Sequence, residues 1–274
     1  MHAQVCVARA VTQSAMTNPS DTVVEMRGVG VGTMRDFHIR VLENVNWSVA
    51  RGDFWVVGGL QGSGKSDLLL LTAGLMPPVE GTYFFEGEEM PIFEDARLEQ
   101  RLRLALVFEE GQLLNHLTVA ENVSLPLRYH RNLSKADVVD EVRRMLEAME
   151  LAPWAGNTPG ALSRNWRKRV GLARALMLRP EVLLMDNPLG GLDLRHRNWW
   201  LNFLGQLSKG HDWMQNRPVT LVVTADDLRP WRRHARQFAV LKNKRFTVLG
   251  AWDQVESAGS DLVDELVAAP APGG

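Results

Sequence analysis

Eight consecutive residues, Gly59-Leu60-Gln61-Gly62-Ser63-Gly64-Lys65-Ser66, satisfy the pattern G-x-x-x-x-G-K-[ST]. Upstream, Phe54-Trp55-Val56-Val57 reads as a buried strand, and downstream Asp67 to Leu75 reads as a Leu-rich helix. A strand, a glycine loop and a helix N-terminus together make a phosphate cradle, because backbone N–H groups and the positive end of the helix dipole face an anion. Lys65 is placed to reach the β- and γ-phosphates of a nucleotide, and the Ser66 hydroxyl to ligate Mg²⁺. A second group belongs to the same chemistry. Val182-Leu183-Leu184-Met185-Asp186 is a wholly apolar run ending in a carboxylate, the pattern of a central parallel strand. An acid at the carboxyl end of such a strand lies beside the glycine loop, where it can hold Mg²⁺ through water.

The remaining elements must position these groups. From Thr22 to Val57 the apolar residues Val23, Val24, Met26, Ile39, Val41, Val45, Trp47 and Val49 follow period two, which predicts two or three antiparallel strands leading into the strand before the loop. No aromatic residue that could stack on a base lies between Arg27 and Asp36; Phe37 is the nearest candidate. Gly81 to Gly87 predicts a short strand and turn, and Leu104 to Phe108 a buried strand followed at once by Glu109-Glu110-Gly111. Helices are expected from about Thr118, after Ser134, and from Ser163 to Leu176, with Arg179-Pro180 as a stop. Leu221 to Thr224 is one more buried strand, and Phe238 to Leu249 a hairpin around Asn243-Lys244. The nine Trp residues, the Trp199-Trp200 pair included, read as packing residues.

Composition narrows the class. The chain has 274 residues, 45% of them hydrophobic, enough to fill a large core. Lys+Arg (31) and Asp+Glu (32) balance to a net charge of −1, which argues against a nucleic-acid binder. Cys6 is the only cysteine, so no internal disulfide forms and a reducing compartment is expected. No apolar run approaches the ~20 residues of a membrane span. Residues 1–21 are expected to be a flexible tail, or an upstream start with Met16 as the true first residue, and not a secretory signal.

The order of parts resembles the ATP-binding cassette of ABC transporters over about Val23 to Val255. The glycine loop is followed by Leu104 to Phe108, Leu162-Ser163, Gly171-Leu172-Ala173-Arg174-Ala175-Leu176, Met185-Asp186-Asn187-Pro188, and Thr224-Ala225-Asp226. Gly111 to Leu114 and Thr118 to Leu127 look most like the Mce-type lipid-transport ATPases. The resemblance implies an α/β P-loop NTPase fold with a mostly parallel central sheet, an N-terminal antiparallel subdomain and a helical insertion at about 110–178. The cassette would span 22–256, with a short helix and tail at 257–274. It implies ATP and Mg²⁺ as cofactors and an integral membrane permease as partner. It also implies a dimer with itself or a second cassette, and a cytoplasmic place on the inner face of the membrane. The glycine loop with Asp67, and Ser163 of the signature, would contact nucleotide; Ser66, Asp186 and Glu109 would serve the metal.

Five positions depart from the family pattern. The Gln that touches Mg²⁺ is Glu109, and the signature Leu-Ser-Gly-Gly-Gln reads Leu162-Ser163-Arg164-Asn165-Trp166. The catalytic Glu is Asn187, the switch His is Ala225, and the residue after Ser66 is Asp67 instead of Thr. Lys65, Ser66, Asp186 and Asp193 remain. An Asn amide can bind water but cannot take its proton, and loss of a general base costs roughly 10²–10⁴-fold in rate. Ala225 can neither donate to a γ-phosphate nor orient water. Arg164 is expected to offer a charge where the signature glycines let a partner approach. Asp67 would repel phosphate by about 1 kcal/mol in water and about 4 near a protein surface, offset by roughly 0.3–1 kcal/mol from the helix dipole. The expectation is a chain that binds ATP but hydrolyses it weakly or not at all. The alternative is an active ATPase that uses Glu109 or Glu110 as the base.

Overall fold

In the computed structural model, which describes residues 21–90, 97–131, 133–259 and 261–267, the period-two stretch folds into two long strands. Strand β1 (Thr22–Gly32) pairs antiparallel with β2 (Arg40–Ala50), and Val24, Met26, Val45 and Val49 turn inward. Next come β3 (Phe54–Gly59), buried along its whole length, and helix α1 (Lys65–Thr72). Strands β4 (Glu80–Phe85) and β5 (Glu88–Met90) complete an antiparallel sheet of order β2-β1-β4-β5.

A short helix α2 (Leu98–Arg101) leads into β6 (Leu104–Val107). Between β6 and the next strand, α3 (Val119–His130), α4 (Lys135–Ala148) and α5 (Arg164–Leu176) follow one another. Then come β7 (Val182–Met185), α6 (Leu194–Leu207), β8 (Thr220–Ala225), β9 (Gln237–Lys242), β10 (Arg245–Gly250), α7 (Trp252–Ser257) and α8 (Asp261–Val267). The second sheet has order β10-β9-β3-β8-β7-β6; only the β9–β10 hairpin is antiparallel. Its turn residues Asn243 and Lys244 both have positive φ, as a tight two-residue hairpin requires.

Two apolar cores lie on the two faces of the parallel sheet. One joins β1, β2 and α1 to Trp55, Val57, Leu184 and Val222. The other joins α3, α5 and α6 to Val56, Met185 and Val223. Because β3, β7 and β8 are covered on both sides, they are apolar at nearly every position, as buried parallel strands are. Their carboxyl ends therefore emerge together: the glycine loop after β3, Asp186 after β7, and Ala225 ending β8. A crevice at the carboxyl ends of such strands is where open α/β sheets bind ligands.

Trp200 is fully buried and Trp199 stacks on Phe203 with centroids 5.0 Å apart, so this pair packs the core as expected. Residues 1–20 and 268–274, with the tails assigned to them, lie outside the described residues. Among the described residues no helix is long and apolar enough to cross a membrane.

Candidate functional site

The glycine loop takes its shape from sterics. A Cβ on Gly59 would collide with Ser63 Oγ. Gly64 has φ +93° and caps α1 in the left-handed region that side chains rarely adopt. Leu60, Gln61 and Gly62 form the exposed rim. Below them, the first-turn N–H groups of α1 have no intrahelical acceptors. Ser63 Oγ is buried and has no hydrogen-bond partner. A cradle of free amides around an orphaned hydroxyl suits a phosphate.

Lys65 Nζ donates to Gly59 O (2.5 Å) and Leu60 O (2.9 Å), and pairs with Asp226 Oδ1 at 2.9 Å. Ser66 Oγ donates to Asp186 Oδ2 at 2.6 Å, while Thr224 Oγ1 donates to Asp186 Oδ1 at 2.7 Å. Two hard oxygen ligands side by side, one of them a carboxylate oriented by Thr224, fit Mg²⁺. Glu109, the third residue expected at the metal, is engaged elsewhere. Its Oε1 accepts from Arg164 Nη2 (3.1 Å) and from Asn187 Nδ2 (3.2 Å).

Asn187 follows β7 in the left-handed conformation, φ +41°. Its amide nitrogen bridges two carboxylates, Glu109 Oε1 and Asp226 Oδ2, the latter at 2.9 Å. Ala225 is buried and sends no polar group toward this centre. The turn after Asn187 is gathered by Lys168 of α5, whose ammonium donates to Asn187 O (3.1 Å) and Gly190 O (2.8 Å). Burial pushes the Lys168 pKa down to about 8, against the opposing pull of Glu109. Lys168→Met keeps the buried stem but removes the donor to Gly190 O and leaves Asn187 O with the Gly190 amide alone. Its expected cost is about 1–2 kcal/mol, read as a lowered denaturation midpoint at unchanged m-value.

Two expectations are corrected by the geometry. Asp67 was expected to press its charge on the phosphates; instead Asp67 Oδ1 accepts from the Met34 amide at 3.2 Å, so it ties the β1–β2 loop to α1. Arg164 was expected to face a partner; instead it folds back on its own chain, pairing with Glu109 and with Glu110 (2.5 Å). Both ion pairs run through Nη2, while Nε is buried without a hydrogen-bond partner. Ser163 stands at the N-cap of α5 without a side-chain cap bond, and Asn165 Nδ2 donates to Asp193 Oδ2 at 3.2 Å. Phe37 is 47% exposed beside Gly32, whose Cβ position its carbonyl would block.

Four residues of the centre escaped the sequence reading as individuals: Asp226, Thr224, Lys168 and Arg169. Asp226 carried a signal, since Thr224-Ala225-Asp226 ends the last core strand beside the loop. Arg169 carried none. It is buried, its guanidinium 3.7 Å above the Trp199 ring and paired with Glu150 at 2.8 Å, which holds α5 against α6.

Comparison with known proteins agrees with this geometry. A family profile described as ABC transporter matches residues 42–190. The sulfate/thiosulfate import ATP-binding protein CysA of Caulobacter vibrioides is 33% identical over 220 residues, covering 79% of this chain and 62% of the relative. The lipoprotein-releasing system ATP-binding protein LolD 1 of Chlorobium chlorochromatii is 30% identical over 195 residues, 70% of this chain and 77% of the relative. The chain thus spans less than two thirds of the CysA length. Among solved structures, the MJ0796 ATP-binding cassette, a dimer in a post-hydrolysis state bound to ADP and Pi, matches with TM-score 0.71 and 28% identity over 81% of this chain and 95% of that one. A profile over more than half of the chain, together with these relatives, makes this chain a member of the ABC transporter family, as one of its ATP-binding cassettes.

Proposed function

We propose that the chain is the ATP-binding subunit of a membrane ABC transporter that holds Mg·ATP but hydrolyses it weakly or not at all. The observation that carries this reading is the Asn187 carboxamide, which donates to both Glu109 and Asp226 where the family pattern has a catalytic Glu. A donor in that place binds and orients but cannot accept the proton of an attacking water. Lys65, Ser66 and Asp186 supply the binding half, and Mg²⁺ would neutralise phosphate charge there when bound. Ser163, at the N-cap of α5 with no side-chain cap bond, would face the nucleotide of a second copy or a second cassette.

The partner we assign is an integral membrane permease, with the chain peripheral on the cytoplasmic face. Leu114, 43% exposed beside the partly buried Leu113, supports a docking surface between Glu109 and Tyr129. For the cargo we propose a lipid-type substrate. Support comes from the likeness of Gly111 to Leu127 to the Mce-type ATPases and from similarity to a lipoprotein-releasing subunit.

A second reading, an active ATPase with Glu109 as base, is favoured by Glu109 lying 3.2 Å from the Asn187 amide. Against it, Arg164 pairs with Glu109 as well as Glu110 and so opposes Glu109 as a free base. Binding is tested by titrating a fluorescent ATP analogue with Mg²⁺ into the wild type and Lys65→Ala. We expect saturable binding that Lys65→Ala weakens by at least about tenfold, since a charge-assisted bond is worth roughly 1.5–3 kcal/mol. Equal affinity in both proteins would show that the pocket is misassigned.

A further inference from the structure

We propose that Asp226 is a built-in competitor for the γ-phosphate: its carboxylate engages both the ammonium and the amide at the γ end. The inference rests on the reading of the pocket as a nucleotide site. Asp226 Oδ1 sits 2.9 Å from Lys65 Nζ, and Asp226 Oδ2 accepts from Asn187 Nδ2 at 2.9 Å. These two donors belong to different elements, the start of α1 and the end of β7, and the one carboxylate spans them. It is an anion that sets one oxygen at hydrogen-bond distance from each of the two groups, as a terminal phosphoryl group would.

The fit is specific to that end of the cradle. Lys65 is only 8% exposed, and its other contacts are two backbone carbonyls, so among the described residues Asp226 is its one charged partner. Elsewhere in the loop, Ser63 Oγ is unpartnered, Asp67 accepts from the Met34 amide, and Asp186 is held at Ser66 on the metal side. The first-turn amides of α1, which have no intrahelical acceptors, are the groups that would take the α- and β-phosphates. Asp226 itself is held only by Lys65 and the Asn187 amide among the described residues, with a side chain 55% exposed just past the end of β8. It can swing into solvent when a stronger anion arrives. Ala225 beside it has no side chain long enough to take its place on either donor.

Such a competitor discriminates by phosphate number. A triphosphate must displace Asp226 from Lys65 and Asn187, or suffer its repulsion at close range. A diphosphate shares Lys65 but does not reach Asn187. The carboxylate therefore lowers ATP affinity more than ADP affinity and keeps the empty site internally neutralised.

The test compares Mg·ATP and Mg·ADP affinities by calorimetric titration of the full chain, in the wild type, Asp226→Asn and Lys65→Ala. Asp226→Asn keeps shape and the bond to Asn187 but removes the charge. We expect it to tighten ATP by about three- to fivefold and ADP by less than about twofold, the upper part of the range of a partly exposed ion pair. Asp226→Ala should reproduce the ATP effect, which guards against an Asn-specific contact. Unchanged ATP affinity in Asp226→Asn, with binding still lost in Lys65→Ala, would overturn the competitor while leaving the nucleotide site intact. Absence of nucleotide binding from all three proteins would overturn both. Weaker ATP binding in Asp226→Asn, or loss of measurable phosphate release, would mean that the carboxylate serves the nucleotide or its attacking water, and the competitor role would be wrong.

Discussion

Phosphate release from Mg·ATP by this chain should be at least ~10²-fold slower than by an intact cassette, because nothing at position 187 can act as general base. Asn187→Glu alone should not restore it. The Asn187 amide donates to Glu109 and to Asp226, so a glutamate there would bring three carboxylates together without the amide that links two of them now. Like charges at this range raise the pKa of at least one and turn the new base away from water. Restoration should require Asn187→Glu with Ala225→His and a Gly-Gly-Gln signature at 164–166, and Glu109→Gln to remove the opposing charge. Steady-state phosphate release from the single and combined variants checks this. Recovery by Asn187→Glu alone would show that the neighbouring acids do not oppose it.

The second large effect is expected where α5 meets the loop that follows β6. A Cβ at Gly171 would lie 2.7 Å from Gly111 Cα, and one at Gly111 would lie 2.6 Å from Arg167 O. Arg174 Nη2 also donates to Gly111 O at 2.8 Å, so the loop is held against the helix from two sides. Backbone against backbone cannot give as a side-chain end can. Gly171→Val should therefore destabilise by about 2–3 kcal/mol through overpacking. Gly205→Ala in α6 provides the contrast. Its Cβ would meet only the His234 ring, at 3.3 Å, and helix propensity favours Ala by about 0.8–1 kcal/mol. Chemical denaturation of both variants should show opposite signs. A stabilising Gly171→Val would mean that α5 is not packed on this loop.

These contacts show where sequence reasoning succeeds and where it stops. The glycine loop, its flanking strand and helix, and Asp186 were legible because the chemistry and the element are written in adjacent residues. The buried strands were legible because burial on both faces leaves an unbroken apolar run, as in Val182 to Met185. What was not legible depends on partners far apart in the chain. Nothing next to Asp67 indicates that its carboxylate goes to Met34, 33 residues away. Arg164 reads as a free charge until α5 places it beside Glu109 and Glu110, 55 positions earlier in the first case. The pairing of Asp226 with Lys65 likewise needs β8 beside β3, a topology that local pattern does not encode.

The claim that the chain holds ATP without consuming it is tested most directly by recovering the nucleotide. The full chain, alone and in its membrane complex, is incubated with radiolabelled Mg·ATP for many expected turnovers of an intact cassette, then denatured, and the bound nucleotide is separated by chromatography. The account predicts intact ATP, absent from Lys65→Ala. Bound ADP formed by the wild type but not by Glu109→Ala would contradict it and would show that the catalytic carboxylate had moved to Glu109.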